Sequence, residues 1–118
     1  MDEKRIEPRW QIHQEAGLTV DGGLKPISCT VEDISTRGMR LSMRRNLFPE
    51  VFSRFSLALA DNLTLNLGAQ VVWQNQKENQ NIFGLVFNQN EKSIRFKISE
   101  YIKNNFPEVM EKQWLGGV

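Results

Sequence analysis

Alternation of apolar and polar side chains runs through most of the sequence and constrains its fold more than any other feature. From residue 10 to residue 87, apolar residues recur at every second position for long stretches. This period is typical of β-strands with one face in a core and the other in solvent. The predicted strands cover residues 10–20, 27–31, 39–43, 55–59, 63–73 and 82–87. The fold is therefore predicted to be mainly β.

The segments between these runs carry turn-forming or polar residues. The sequences Asp21-Gly22-Gly23 and Asp61-Asn62 are typical of tight turns. Residues 44–53, which include Pro49, are predicted to form an irregular connection. Residues 74–81 contain no apolar side chain and are predicted to form a solvent loop.

The apolar spacing changes to a helical period only near the C-terminus. The residues that follow this period are Ile94, Ile98, Tyr101, Ile102 and Phe106. Asn90 is a candidate N-cap, and Pro107 is predicted to end the helix. The most economical architecture is a six-stranded antiparallel β-barrel with a C-terminal α-helix, because closure leaves no sheet edge exposed.

The length of the chain, 118 residues, provides material for one hydrophobic core. We divide the sequence into three parts. Residues 1–9 form a charged N-terminal arm that contains Pro8, residues 10–106 form the barrel with its helix, and residues 107–118 form a tail with Trp114.

Composition limits the classes of function. The formal net charge of +1 predicts no overall attraction to nucleic acid or membrane. No run approaches the roughly 18 apolar residues of a membrane helix, and the polar start is unlike a signal peptide. Cys29 is the only cysteine, so no internal disulfide can form, and its alternation with Ile27 and Val31 predicts a buried thiol. These features predict a cytoplasmic protein.

Catalysis is not expected from this sequence. The only histidine, His13, lies on the polar side of the first predicted strand, where a surface position is the simplest interpretation. The sequence contains no nucleophile elbow, phosphate-binding loop or zinc-protease motif, and it has no cluster of metal-ligand residues. We therefore predict a protein that is not an enzyme and binds no metal.

Two clusters of polar residues are unusual. Arg5 and Arg9 are four residues apart in the arm, about 13 Å in an extended chain, so they can reach different parts of one ligand. The second cluster, Asp33-Ile34-Ser35-Thr36-Arg37-Gly38, falls at a strand end. Continued alternation would bury Asp33 on the apolar face, so the strand is predicted to end or bulge there.

The chemistry of these clusters matches a guanine nucleotide. An arginine fork fits the O6 and N7 acceptors of guanine, and a second arginine suits a phosphate. The N–H groups on the opposite edge of guanine need an acceptor such as Asp33, with Ser35 beside it. Gly38 would allow close approach of backbone or base. The alternative for the second cluster is a capped turn without a ligand.

The two clusters together resemble the signature of the PilZ domain family, Arg-x-x-x-Arg followed some twenty to thirty residues later by Asp/Asn-x-Ser-x-x-Gly. Here the motifs span residues 5–9 and 33–38, with 23 residues between them. Two later segments, Val71-Val72-Trp73 and Phe83-Gly84-Leu85-Val86-Phe87, are also similar to the family. The resemblance covers about residues 3–106.

This resemblance implies a barrel that binds the bacterial second messenger cyclic di-GMP. It implies that Arg5 and Arg9 hold guanine and phosphate, and that the second motif holds a guanine through Asp33, Ser35 and Gly38. Candidates for additional contacts are Lys4, Arg37 and Trp73. Of these, Arg37 is more typical of a solvated turn and Trp73 of a core residue.

The expected output is ordering of the arm on binding, which a protein partner would detect. Two other functions stay open. One is a PilZ-like adaptor that binds proteins and not nucleotide, although members of that kind typically lack the arginine motif. The other is a barrel that binds single-stranded nucleic acid, which would need aromatics along a basic groove. We expect no DNA or RNA partner and no membrane insertion.

Overall fold

Seven strands and one helix make up the part of the chain that the computed structural model describes, which is residues 9–21, 23, 25–60, 62–88 and 92–109. The elements are β1 (Trp10–Val20), β2 (Ile27–Ile34), β3 (Gly38–Met43), β4 (Phe55–Ala60), β5 (Leu63–Leu67), β6 (Ala69–Lys77), β7 (Gln80–Phe87) and α1 (Lys92–Asn105). The prediction of a mainly β fold with a C-terminal helix is confirmed, and β1 has the predicted bounds.

The strands form one antiparallel sheet in the order β5-β4-β1-β2-β3-β7-β6. The sheet differs from the predicted closed barrel of six strands in two details. There are seven strands, and the sheet is not closed, because no ladder joins its end strands β5 and β6 within the described ranges.

Gly68 explains the additional strand. The predicted strand over residues 63–73 is interrupted there, and β5 and β6 lie at opposite ends of the strand order. A Cβ on Gly68 would lie 2.6 Å from the backbone oxygen of Ser53, so only glycine permits this approach. The Gly68 oxygen also accepts a hydrogen bond of 2.8 Å from the Asn88 N–H. Alternation did not reveal the break because Leu67 and Ala69 are both buried.

The predicted solvent loop at residues 74–81 is instead the end of a hairpin. Strand β6 continues to Lys77, which pairs with Gln80 at the start of β7, and Glu78 adopts a positive φ of 57° in the turn between them. The side chains of residues 74–80 are exposed, as predicted. The strand was not recognised because its side chains are polar on both faces and show no alternation. The backbone hydrogen bonds of the ladder form regardless of side-chain polarity.

The remaining connections agree in part with the predictions. Residues 44–53 include a short 3₁₀ helix, Pro49–Ser53, whose Phe52 is buried. Ala60 pairs with Leu63 across the predicted hairpin turn, although Asp61 lies outside the described residues. Gly22 and the candidate N-cap Asn90 lie outside them as well. Helix α1 ends before Pro107, as predicted.

One side of the sheet, here called the inner face, packs into the core. Its central residues Val31, Leu41 and Phe83 are fully buried, and Phe52 packs against Phe83 with ring centroids 5.1 Å apart. Helix α1 contributes Ile98, Tyr101 and Ile102 to the same cluster. No helix among the described residues is long and apolar enough to cross a membrane. Because the inner face is buried, strands can present polar groups on the opposite side of the sheet, here called the outer face.

Candidate ligand-binding site

A β-bulge in β2 places Asp33 on the outer face. Val31 pairs with Leu41 and Asp33 pairs with Arg40, so two residue steps on β2 match one on β3, and Glu32 is the extra residue. The bulge reverses the alternation, and Ile34 becomes the fully buried residue on the inner face. Of the two predicted outcomes, an end of the strand or a bulge, the structure has the bulge. Asp33 consequently avoids the apolar face that uninterrupted alternation would have given it.

A second bulge, in β6, acts on Trp73 in the same way. Val71 pairs with Leu85 and Trp73 pairs with Gly84, so Val72 is the extra residue. Trp73 is 43% exposed, and the interpretation of Trp73 as a core residue is wrong. Alternation along residues 63–71 placed it inside, but the bulge turns it outward.

The two bulges bring their residues into one row across the sheet. Asp33 pairs with Arg40, Arg40 pairs with Gly84, and Gly84 pairs with Trp73. We call these four residues the outer row. A Cβ on Gly84 would overlap the indole of Trp73, so the ring packs directly against the bare glycine backbone. The row thus runs from a carboxylate through a guanidinium to an exposed aromatic ring.

The carboxylate of Asp33 lies between two arginines. Arg40 Nη2 is 3.0 Å from Asp33 Oδ2, and Arg9 Nη1 donates a longer hydrogen bond of 3.4 Å to Asp33 Oδ1. The Asp33 side chain is only 4% exposed, whereas those of Arg9 and Arg40 are 47% and 36% exposed. The two cations offset the cost of burying the carboxylate and give this trio a net positive charge at the surface.

Ser35 stabilises the turn that joins β2 to β3. Its hydroxyl oxygen accepts hydrogen bonds from the backbone N–H groups of Arg37, at 3.1 Å, and Gly38, at 3.2 Å. The Ser35 N–H donates in turn to the Gly38 oxygen at 2.8 Å. This is a capped turn in which the hydroxyl is already used by the backbone. Ser35 is buried and Arg37 is exposed.

Gly38 is required by backbone packing. A Cβ at this position would overlap the carbonyl oxygen of Leu85 in β7. Close approach of backbone was one of the two reasons expected for a glycine here, and the structure provides it in the ladder between β3 and β7.

The structure brings together part of the predicted site. Arg9 and Asp33 are in contact, and the Ser35–Gly38 turn begins two residues after Asp33. Lys4 and Arg5 lie outside the described residues. The sequence prediction missed Arg40. Its position on the polar side of β3, opposite Asp33 in a short hairpin, is a signal that could have identified it.

His13 lies at the surface, as predicted, in a further bulge where its φ is 50°. Its Nδ1 is 2.8 Å from Glu32 Oε1, and the Ser42 hydroxyl donates to Glu32 Oε2 at 2.6 Å. The carboxylate therefore separates the imidazole from the hydroxyl. This arrangement lacks the nucleophile–base contact of a hydrolase triad.

Cys29 lines a different region, a cavity of about 890 Å³ that also involves Met43, Leu59 and Tyr101. Burial raises the pKa of its thiol to about 11. The thiol donates to the Ala16 oxygen at 3.6 Å, consistent with the buried position predicted from the sequence. A thiol with a raised pKa is poorly nucleophilic at neutral pH.

The chain is similar to known proteins in both sequence and structure. The family model described as PilZ domain matches residues 3–104. Comparison with curated proteins gives no match. Among solved structures, YcgR from Escherichia coli in complex with c-di-GMP aligns with a TM-score of 0.68 and 14% identity, over 93% of this chain and 49% of that one. The chain thus spans about half the length of that YcgR chain.

Two isolated domains are also similar. The PilZ domain of Escherichia coli YcgR with c-di-GMP has a TM-score of 0.68 and 13% identity, covering 93% of this chain and 97% of that one. The PilZ domain of CeSA from a cellulose-synthesizing bacterium has a TM-score of 0.53 and 15% identity, covering 82% and 96%. At these identities the similarity shows a shared fold.

Proposed function

Because the chain belongs to the PilZ domain family, we propose that it is a receptor for cyclic di-GMP, with a site built on the outer row and the arm. The observation that carries this proposal is the buried Asp33 carboxylate between Arg9 and Arg40, in one row with the exposed Trp73. Structural neighbours solved with c-di-GMP give independent support.

Asp33 supplies the acceptor that guanine recognition needs. Each carboxylate oxygen has more than one acceptor position, so Asp33 can accept from both N–H groups on one edge of guanine. Its contact with Arg9 is the longer of its two ion pairs, at 3.4 Å, and Arg9 is nearly half exposed. Arg9 is therefore the partner that a ligand exchanges most readily.

The cations around Asp33 suit the rest of the ligand. Arg9, with Arg5 from the same motif, would hold phosphate oxygens or the O6 and N7 atoms of guanine by paired hydrogen bonds. Lys4 and Arg37 are further candidates for phosphate contacts. Trp73 would stack on a base, since an exposed indole offers a flat apolar face.

In this proposal the receptor is not an enzyme, and ligand binding is its whole chemical activity. The signal passes to a protein partner through ordering of the arm at residues 1–9, since that segment carries the arginine motif. The buried lone thiol is consistent with action in the cytoplasm. A PilZ-like adaptor that binds no nucleotide is the alternative, and the Arg9–Asp33 contact argues against it.

Isothermal titration calorimetry tests the proposal. The wild type and Arg9→Ala are titrated with cyclic di-GMP, GTP and a short oligonucleotide, and Arg45→Ala serves as a matched control because Arg45 is an exposed arginine outside both motifs. We expect micromolar or tighter binding of cyclic di-GMP alone, retained in Arg45→Ala and weakened about tenfold or more in Arg9→Ala. No heat with any nucleotide would favour the adaptor and overturn the receptor.

A further inference from the structure

We propose that Arg40 is a positioning residue for guanine recognition, which fixes one oxygen of Asp33 while the other exchanges Arg9 for the ligand. This inference rests on the proposed binding of cyclic di-GMP at Asp33. It assigns a function to a residue outside both sequence motifs, and it concerns selectivity as well as affinity.

The two ion pairs that Asp33 makes with described residues differ in how they are supported. Arg40 is in the middle of β3, where its backbone pairs with Asp33 on one side and Gly84 on the other. Arg9 is the last residue of the arm, directly precedes β1 and makes the longer contact, 3.4 Å against 3.0 Å. Arg40 is therefore the partner held by the sheet, and Arg9 is the one that can move without breaking a ladder.

The Asp33 carboxylate needs a permanent partner because its side chain is 4% exposed. A buried carboxylate that loses all its partners is strongly unfavourable. When Arg9 turns to the ligand, Arg40 is the remaining cation at Asp33 among the described contacts. Oδ2 can keep its bond to Arg40 and still accept from the ligand, since it has a second lone pair.

The orientation of the Asp33 carboxylate matters most for its hydrogen bond to the 2-amino group, which identifies guanine. Guanine presents two N–H donors side by side, on N1 and on the exocyclic 2-amino nitrogen, and a carboxylate accepts both only if its plane is aligned with them. Hypoxanthine keeps N1–H, O6 and N7 but lacks the amino group. If Arg40 no longer orients the carboxylate, the protein should stop distinguishing guanine from hypoxanthine before it loses all affinity for either base.

The test compares cyclic di-GMP with its cyclic di-inosine analogue by calorimetry. The proteins are the wild type, Arg40→Ala, Arg40→Gln and Arg40→Lys, with Arg45→Ala as the control for loss of one exposed positive charge. For the wild type we expect cyclic di-GMP to bind at least tenfold more tightly than the analogue, the factor for one charge-assisted hydrogen bond. In Arg40→Ala and Arg40→Gln this ratio falls toward one, and Arg40→Lys restores part of it.

The outcomes separate the two proposals. A wild type that binds no cyclic di-GMP overturns the proposed function itself. If the Arg40 variants bind both ligands more weakly by the same factor, so that the selectivity ratio is unchanged, the positioning function of Arg40 is overturned. The proposed receptor function still stands in that case. If Arg40→Ala does not fold, as judged by thermal melting, the ratios of Arg40→Gln and Arg40→Lys decide the question.

Discussion

Trp73 presents an aromatic ring to solvent from within a strand, packed against the bare backbone of Gly84. If this ring stacks on a base, Trp73→Ala should weaken cyclic di-GMP binding by about 1–3 kcal/mol, the usual value of one stacked base. Trp73→Phe should retain part of the affinity. The unfolding free energy should fall in Trp73→Ala and less in Trp73→Phe, because the ring packs against Gly84 and is only 43% exposed.

Phe96 offers the matched control for this measurement. It is 65% exposed on α1 and lies outside the outer row, so Phe96→Ala removes an exposed aromatic without touching the proposed site. Calorimetric titrations of the three variants give the comparison. Equal affinities for Trp73→Ala and the wild type would remove Trp73 from the site.

Cys29 gives a prediction that depends on pH. Burial raises its pKa from 9.0 to about 11, which means that the folded protein favours the neutral thiol. Unfolding therefore releases a proton once the pH exceeds about 9, and stability should fall as the pH rises from 9.0 toward about 11. Chemical denaturation across this range should show a shallower decline for Cys29→Ala than for the wild type. The same slope in both proteins would contradict this assignment.

At the scale of elements, the packing of β3 against β7 depends on Gly38. A Cβ there would meet the Leu85 carbonyl, a backbone atom that cannot rotate away. Gly38→Ala should cost roughly 1–3 kcal/mol of unfolding free energy, as strained core substitutions do. Binding should weaken as well, because β3 carries Arg40. Urea denaturation measures the first effect and calorimetry the second.

Gly17→Ala is the comparison for that variant. At Gly17 the nearest atom to an added Cβ is the Pro26 Cβ at 3.3 Å, a milder contact with a side chain. The cost should be clearly smaller than for Gly38→Ala. If the Gly38→Ala variant is as stable as the Gly17→Ala variant, β3 and β7 can move apart at no cost in unfolding free energy, which contradicts the prediction.

The strands were predictable from sequence where burial alone determines the pattern. Strand β1 buries Trp10, Ile12 and Leu18 on the predicted side despite its bulge at His13, and the helix follows its period, because both have one face in the core. The break at Gly68 was not predictable, since the residues on both sides continue the same alternation. The hairpin at residues 74–81 was missed because the side chains of residues 74–80 are polar and exposed and only Asn81 is buried.

The site divides in the same way. Asp33 could be identified because a carboxylate interrupts an apolar alternation, which required the strand to end or to bulge there. Trp73 was wrongly assigned to the core because the bulge at Val72 leaves no trace in the sequence. Val71, Val72 and Trp73 are all apolar, so nothing indicates that the alternation reverses there. Arg40 was overlooked because an arginine on the polar side of a strand resembles any solvated charge. The register of the short hairpin that joins β2 to β3 identifies it as the residue that faces Asp33.

At the scale of the whole molecule, the proposed function has the arm at residues 1–9 transmit ligand binding to a partner. If binding orders it, amide hydrogen exchange in residues 1–12 should slow when cyclic di-GMP saturates the protein. The core strands should be protected in addition, because a ligand at 100 times its Kd stabilises the fold by about 2.7 kcal/mol. Exchange in residues 1–12 that is unchanged by saturating ligand would exclude the arm as the signalling element.

The central claim is that the outer row recognises guanine. The structure of the complex with cyclic di-GMP tests it most directly. We predict that the Asp33 carboxylate lies within hydrogen-bond distance of the N1 and 2-amino nitrogens of one guanine, with Arg40 still paired to Asp33 and Trp73 against a base. A ligand bound elsewhere, such as in the cavity lined by Tyr101 and Cys29, with Asp33 still paired only to its arginines, would contradict the account.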